Sequence, residues 1–149
     1  MIEKATPADH QALTTLTKKS KAHWGYSAAQ MQQWDEELTV TPDYIRANDT
    51  YKLVDENARI MGYYAYRTLS KDQVKLDNLF VLPDFIGNGY GQQLITHFLA
   101  RVTHQGFRKV LVDADPNAEG FYVRQGFVVV GKKATAIVGR YLPVMEKGL

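Results

Sequence analysis

One stretch decides the fold: residues 79–91, which read LFVLPDFIGNGYG. Leu79-Phe80-Val81 is an apolar run typical of a strand, and three glycines follow within six residues at 86–91. Beyond them, apolar residues recur with the spacing of one buried helix face, at Leu94, Ile95, Phe98, Leu99 and Val102. The sequence therefore predicts a strand, a glycine turn and an amphipathic helix, in that order.

The three glycines, Gly87, Gly89 and Gly91, suit a phosphate site. Without Cβ, their backbone N–H groups can approach an anion closely, and a helix N-terminus adds unpaired donors and partial positive charge. The alternative is a turn that makes room for tight packing, and the glycines alone do not separate the two. A P-loop is excluded because Gln92-Gln93 stands where Lys-Ser/Thr is needed. A Rossmann site is disfavoured because helices and a meander come first, although Asp113 follows at a suitable distance.

The remaining patterns predict one α/β (α+β) domain over residues 1–149. An antiparallel meander over residues 59–82 precedes the glycine turn, and the connection onward to residue 112 suits a parallel crossover. Helices are predicted at about 7–22, from Ser27 onward, at 41–47 and at 117–124. Strands are predicted at 51–54, 59–69, 74–82, 109–112, 127–132 and 137–145.

Composition excludes several classes of protein. Eighteen basic and 16 acidic residues give a net charge of only +2, so no large positive field favours nucleic acid. The absence of cysteine excludes disulfides and a thiol nucleophile, and the four histidines lack metal-site spacing, so no metal is expected. The sequence has neither a signal-peptide core nor a long apolar run, which predicts a cytoplasmic protein that does not bind membranes.

A second motif, FYVRQGF at Phe121–Phe127, follows the predicted crossover. Together the two motifs resemble the GNAT superfamily of acetyltransferases. The family's Gln/Arg-x-x-Gly-x-Gly/Ala segment is matched by Ile86–Gly91, and its FYxxxGF stretch by Phe121–Phe127. The order of elements fits over nearly the whole chain. The resemblance implies a mixed, mostly antiparallel central sheet of about six to seven strands flanked by helices.

The resemblance also implies an activity: an amine attacks the thioester of acetyl-CoA directly in a ternary complex, without a covalent enzyme intermediate. Two departures from the family pattern leave a noncatalytic acyl-CoA-binding or sensing module as the alternative. Ile86 replaces the usual Gln or Arg, and Lys75 stands where some members carry a catalytic glutamate. Recognition of the pyrophosphate must then rest on backbone amides from Gly87 through Gln92.

The resemblance assigns cofactor contacts as follows. An amide of Phe80 or Val81 should polarise the thioester carbonyl. The turn that holds the pyrophosphate comprises Ile86, Gly87, Asn88, Gly89, Tyr90, Gly91 and Gln92. Asn117 is either a helix N-cap or a contact to the amide chain of the cofactor, and Arg124 is either a phosphate contact or a surface residue.

Catalytic and acceptor residues are assigned in the same way. Tyr122 matches the family tyrosine that protonates the thiolate. Asp77 is a candidate base because a carboxylate in an apolar strand is costly unless paired, and His23 or Tyr26 are alternatives that act through water. His23, Trp24 and Tyr26 should form a wall for the amine through cation–π contact, with Trp24 equally suited to plug the space between helices.

The late strands suggest one further partner. Val128-Val129-Val130 and Ile137-Val138 could pair with another copy through an exposed edge, which would make the protein a homodimer.

Overall fold

The computed structural model describes residues 1–135, 137 and 139–149. Its five α-helices, within these residues, are α1 (His10–Ala22), α2 (Ala28–Gln33), α3 (Pro42–Ala47), α4 (Tyr90–His104) and α5 (Glu119–Arg124). Its strands are β1 (Ile2–Lys4), β2 (Asp49–Val54), β3 (Ile60–Thr68), β4 (Gln73–Val81), β5 (Lys109–Asp113), β6 (Val128–Ala134) and β7 (Tyr141–Gly148). Short 3-10 turns at Pro7–Asp9, Pro83–Phe85 and Pro116–Ala118 precede α1, the glycine turn and α5.

The seven strands form one mixed sheet in the order β1-β2-β3-β4-β5-β7-β6. The pairs β1–β2, β2–β3, β5–β7 and β6–β7 are antiparallel, whereas β4 and β5 are parallel. The predicted fold class and the parallel crossover after β4 are therefore confirmed. Strand β1 was not predicted, because three residues are too few to show an alternating pattern.

Polar side chains cap the early helices, which begin close to the predicted residues. The Ser27 hydroxyl accepts a hydrogen bond from the N–H of Gln30 at 3.1 Å, and that of Thr41 accepts one from Tyr44 at 3.0 Å. At the first helix, the Asp9 carboxylate accepts from the N–H of Thr6 at 2.8 Å. These bonds satisfy donors that have no acceptor within the helix.

The chain forms two compact units. The first comprises Met1–Tyr66 and Asn78–Phe98, and the second comprises Arg67–Asp77 and Leu99–Leu149. In the first unit, alternation along β3 sends Tyr63 and Ala65 to one face, where they join a core with Leu13 and Leu16 of α1. The Tyr63 hydroxyl is fully buried and lies 2.6 Å from that of Thr17.

The opposite face of β3 packs against α4. Tyr64 and Tyr66 lie with ring centroids 5.3 Å and 5.2 Å from Phe98, and the Tyr64 hydroxyl is 2.8 Å from Nδ1 of His97. Leu94, Ile95 and Phe98 have no exposed surface. The predicted buried stripe is confirmed at these residues and at Val102, whereas Leu99 is only partly buried. This packing fixes the position of α4, which follows the glycine turn.

The second unit ends in a hairpin of β6 and β7. The predicted last strand, 137–145, begins later than expected, at Tyr141, and Val138 lies outside the described residues. Before this strand, Gly139 adopts a φ of +82°, and the Thr135 hydroxyl accepts from the N–H of Ile137 at 3.1 Å. Strand β6 is last in the sheet order, and Val128, Val129 and Val130 are exposed along it.

None of the helices in the described part of the chain combines the length and the apolar character of a membrane span.

Replacing Phe98 by alanine should lower the free energy of unfolding by about 3–5 kcal/mol, because it opens a cavity beneath α4. Urea denaturation followed by circular dichroism measures the loss. Thr96→Ala, at an exposed position on the same helix, is the control and should change stability by less than about 0.5 kcal/mol. Equal losses in the two variants would contradict the packing described.

Candidate functional site

The glycine turn has the backbone shape that only glycine adopts freely. Gly87 and Gly89 have φ of +91° and +79°, and a Cβ at either position would meet no atom within 4 Å. Positive φ is therefore the reason for these glycines. The alternative that they make room for tight packing has no support at Gly87 or Gly89. The turn is exposed, and Ile86 at its start is 44% exposed.

Backbone donors in this turn are available to a ligand. Among the described residues, no backbone carbonyl accepts from the N–H of Gly87 or Gly89, whereas Asn88 donates to Phe85 at 3.3 Å. The first bond of α4 runs from Gln93 to Gly89 at 3.0 Å, so the amides of Tyr90 and Gly91 precede it and have no acceptor within the helix. Unlike Ser27 and Thr41 before α2 and α3, Gly89 has no side chain to cap the helix.

The glycine turn follows β4 after the short 3-10 turn at Pro83–Phe85. Phe80 and Val81 are half-buried, and the Phe80 ring lies 6.0 Å from that of Tyr63. The parallel register of β4 with β5 runs only from Gln73 to Leu76, although β4 continues to Val81. The last residues of β4 thus lie beyond that register.

Arg59 is a feature of this region that the sequence motifs did not indicate. Its guanidinium carbon lies 5.1 Å from the centre of the Phe85 ring, which in turn packs edge-on against Tyr90 at 5.9 Å. A positive charge is thereby held beside the glycine turn. Arg59 directly precedes β3 and is far from the motif in sequence, so no local pattern could have shown it.

The loop between α1 and α2 contains the predicted acceptor wall. His23 and Trp24 form an edge-on pair at 5.4 Å, and Trp24 is 45% exposed. Tyr26 packs edge-on against Trp34 at 4.7 Å, and the Lys21 ammonium lies 5.4 Å and 5.1 Å from these two rings. The chain's own lysine thus already occupies a cation–π contact with Tyr26.

Asp77 in the second unit is paired. Its Oδ1 lies 3.2 Å from Nε of Arg67, and its side chain is 19% exposed. The pairing offsets the desolvation cost that made this carboxylate conspicuous in the sequence.

Lys75 is held by Asp113. Their charged atoms are 2.7 Å apart, and Lys133 reaches the same carboxylate oxygen at 3.3 Å. Burial alone would raise the pKa of Asp113, but the hydrogen bond and charge of Lys75, with a smaller effect of Lys133, lower it below its ordinary value. The cation in place of the family's glutamate is therefore part of a three-residue charge cluster.

The FYVRQGF motif, in the second unit, covers the last residues of α5 and the turn that follows. Tyr122 is buried against Phe121 and Phe127, and burial raises the pKa of its phenol well above the ordinary value. Arg124 is exposed. Asn117 does not cap α5 as its position suggested, because the N-cap residue of that helix is Ala118. Asp115 instead caps the 3-10 turn Pro116–Ala118, and its carboxylate accepts from the N–H and from Nδ2 of Asn117 at 2.8 Å and 2.9 Å.

In the described part of the chain, no group of three acidic or histidine side chains is placed to hold a metal ion.

The model of the acetyltransferase (GNAT) domain family matches residues 12–144. The chain belongs to the GNAT acetyltransferase family. It is thus an acyltransferase, an N-acetyltransferase of the GNAT type, and the fold and enzyme class that the two motifs predicted are confirmed.

Individual GNAT proteins are similar over nearly their whole length. The 5-NmdU N-acetyltransferase of Pseudomonas phage PaMx11 is 25% identical over 133 residues, 89% of each chain. A GCN5-related N-acetyltransferase structure from Rhodopseudomonas palustris aligns at 22% identity with a TM-score of 0.80, covering 100% of this chain and 95% of that one. The PaiA N-acetyltransferase of Thermoplasma acidophilum, in complex with coenzyme A, aligns at 16% identity and a TM-score of 0.82, covering 100% and 98%.

The lowered pKa of Asp113 makes its contribution to stability depend on pH. The ion pairs stabilise the fold above the unfolded-state pKa near 3.8, and this contribution is lost as the pH falls through the folded-state pKa. Asp113→Asn should therefore cost about 0.5–1 kcal/mol between pH 5 and 7, and progressively less below pH 4.

Urea denaturation at pH 7, 5 and 3 gives the difference between wild type and Asp113→Asn. Asp84→Asn, at an exposed position, is the control and should show almost no difference at any of these values. A deficit in Asp113→Asn that stays constant down to pH 3 would contradict the role of the charge cluster.

Proposed function

We propose that this GNAT protein transfers an acetyl group from acetyl-CoA to a primary amine by direct attack in a ternary complex. The observation that carries the proposal is the glycine turn, where Gly87 and Gly89 hold positive φ and offer amides to an anion at the start of α4. That a GNAT neighbour was solved with coenzyme A supports this cofactor class.

The pyrophosphate of the cofactor would lie on the backbone of Ile86–Gln92. Ile86 brings no polar group, so recognition rests on the amides of Gly87, Gly89 and the first turn of α4. Arg59, held against Phe85, would add a positive charge near the same phosphates. For Asn117 and Arg124 on the second unit we propose contacts to the amide chain and to a phosphate of CoA.

The acyl group would be polarised by a backbone amide at the end of β4, that of Phe80 or Val81. The amine nitrogen then forms a bond to the thioester carbon, and the negative charge on the carbonyl oxygen is stabilised by that N–H. Collapse of the tetrahedral intermediate breaks the carbon–sulfur bond and releases the thiolate of CoA.

Tyr122 is proposed to donate to the departing sulfur. Its burial raises the pKa of the phenol well above the ordinary value, so the hydroxyl is protonated at neutral pH and can act as a donor. As the carbon–sulfur bond breaks, the hydroxyl hydrogen-bonds the thiolate and supplies its proton. The phenolate is restored by a proton from solvent, to which the base returns the proton that it has taken from the amine. Asp77 is proposed as the base that accepts the amine proton.

Trp24 is the ring best placed to meet an acceptor, since it is 45% exposed while Tyr26 already contacts Lys21. His23, paired edge-on with Trp24, would hold that ring in position. We propose that Tyr26 shapes this wall from behind, together with Trp34. Two further predictions belong to the same proposal. Residues 1–149 act as a single GNAT domain, and two copies of the protein form a homodimer through the exposed edge of β6.

Replacing Tyr122 by phenylalanine should lower kcat at least about 100-fold with little change in the affinity for acetyl-CoA, because only the proton donor is removed. Release of free thiol across a panel of amines measures turnover, and calorimetry measures cofactor affinity. Tyr141→Phe, at an exposed tyrosine, is the matched control and should behave as wild type.

Unchanged turnover in Tyr122→Phe would remove Tyr122 from the acid role. Cofactor binding by the wild type without turnover of any amine in the panel would refute acetyl transfer to amines and favour a binding module.

Two variants separate the proposed base from its ion pair. Asp77→Asn and Arg67→Met both abolish the ion pair between these residues, but only the first removes the carboxylate. If Asp77 accepts the amine proton, Asp77→Asn should lower kcat/KM about 100-fold at pH 7, whereas Arg67→Met should stay within about threefold of wild type. Equal losses in steady-state kinetics would show that the pair is structural and that the base lies elsewhere.

A further inference from the structure

Gly62 in β3 occupies a position where a side chain would not fit. A Cβ there would lie 2.8 Å from the carbonyl oxygen of Phe80 and 2.9 Å from Cδ1 of Leu94. The contact with Phe80 is to backbone, which cannot swing aside as a leucine methyl can. By contrast, a Cβ at Gly131 in β6 would meet only the Cβ of Val144, at 3.9 Å. The missing side chain therefore lets the Phe80 carbonyl lie directly against β3.

The same part of β3 contains a β-bulge. Leu53 pairs with Gly62 and Val54 pairs with Ile60, so Met61 is the extra residue. The carbonyl of Met61 accepts a hydrogen bond at 2.8 Å from the N–H of Leu82, which directly follows β4. The bulge and Gly62 together thus fix the last residues of β4 against β3.

This arrangement determines where the amide of Val81 points. Successive residues of a strand direct their N–H and C=O groups to opposite edges, and the two groups of one trans peptide point in opposite directions. The Phe80 carbonyl and the Leu82 N–H both face β3. The N–H of Val81, between them, therefore points away from β3, whereas that of Phe80 points toward it.

We infer that Gly62 is a positioning residue for acyl transfer, which admits the Phe80 carbonyl and so holds the Phe80–Val81 peptide with the Val81 N–H directed at the thioester oxygen. This inference rests on the proposed function and deepens it, since it selects the amide of Val81 over that of Phe80. A methyl group at position 62 would have to displace the Phe80–Val81 peptide. The substitution does not alter the residues of the glycine turn, Tyr122 or Asp77.

Gly62→Ala should lower kcat about tenfold, because a displacement of a few tenths of an ångström misaligns a donor that acts in the transition state. The KM for the amine should stay within about twofold of wild type, which separates a positioning role from general loss of structure. Gly131→Ala, the same change in a strand with open space, is the matched control and should keep wild-type kinetics. Gly62→Ala with wild-type kcat would overturn the inference.

A second comparison separates the backbone contact from the packing of α4. Leu94→Ala removes the methyl that a Cβ at position 62 would meet, but leaves the contact with the Phe80 carbonyl. The double variant should therefore remain about tenfold slower than Leu94→Ala alone. Equal rates in these two proteins would assign the effect to α4 packing and overturn the inference.

Wild-type protein provides a test that needs no variant. The amide shifts of ¹⁵N-labelled protein are compared with saturating CoA and with saturating acetyl-CoA, which differ only in the acetyl group. The Val81 signal should differ between the two complexes by more than that of Phe80. Binding of both ligands with an unchanged Val81 signal, or with the larger difference at Phe80, would overturn the inference alone, whereas failure to bind either ligand would refute the proposed function itself.

Discussion

The absence of a cap at the start of α4 is the constraint on which the proposed site depends. At the starts of α2 and α3, the hydroxyls of Ser27 and Thr41 each accept a hydrogen bond from a backbone N–H group of the first turn. That N–H group is therefore not available to a ligand. Helix α4 instead begins after Gly89, which has no side chain that could accept such a bond. The N–H groups of Tyr90 and Gly91 precede the first hydrogen bond of the helix and can donate to an anion that lies before it. The glycine turn both leaves these donors available and, through positive φ, gives the backbone the shape to present them.

The buried face of α4 holds this turn in place. Phe98 and Leu94 are fully buried, and Phe98 contacts the tyrosines of β3. Because β4 leads into the turn and α4 leads out of it, packing along these two elements holds the backbone donors in position. Apolar Ile86 is thus compatible with phosphate binding, since a backbone site does not need a polar residue there.

Local patterns were sufficient for much of the fold. The helix starts near Ser27 and Thr41, the apolar stripe along α4 and the glycine turn each depend on residues close in sequence, and the structure contains all of them. The missed features depend on contacts between distant segments. Strand β1, for example, is defined by its pairing with β2. Arg59 beside Phe85 and the space at Gly62 depend likewise on how separate strands meet.

Lys75, which stands where some family members carry a glutamate, also takes part in a contact between separate strands. A lysine on β4 would repel cations and offer no base, but here it pairs with Asp113 on the adjacent strand β5, together with Lys133. The family motif alone could show only that the glutamate was missing. Nothing at position 75 can accept the amine proton, which is why the proposed mechanism assigns that role to Asp77.

The central claim, that backbone amides of the glycine turn bind the cofactor's pyrophosphate, can be tested directly by NMR. The ¹⁵N-labelled protein is titrated with acetyl-CoA and, separately, with an acetyl-pantetheine that lacks the pyrophosphate and nucleotide. The amide signals of Gly87 and Gly89 should shift strongly with acetyl-CoA and remain nearly unchanged with acetyl-pantetheine. Saturable binding of acetyl-CoA that leaves both glycine signals in place would contradict the account.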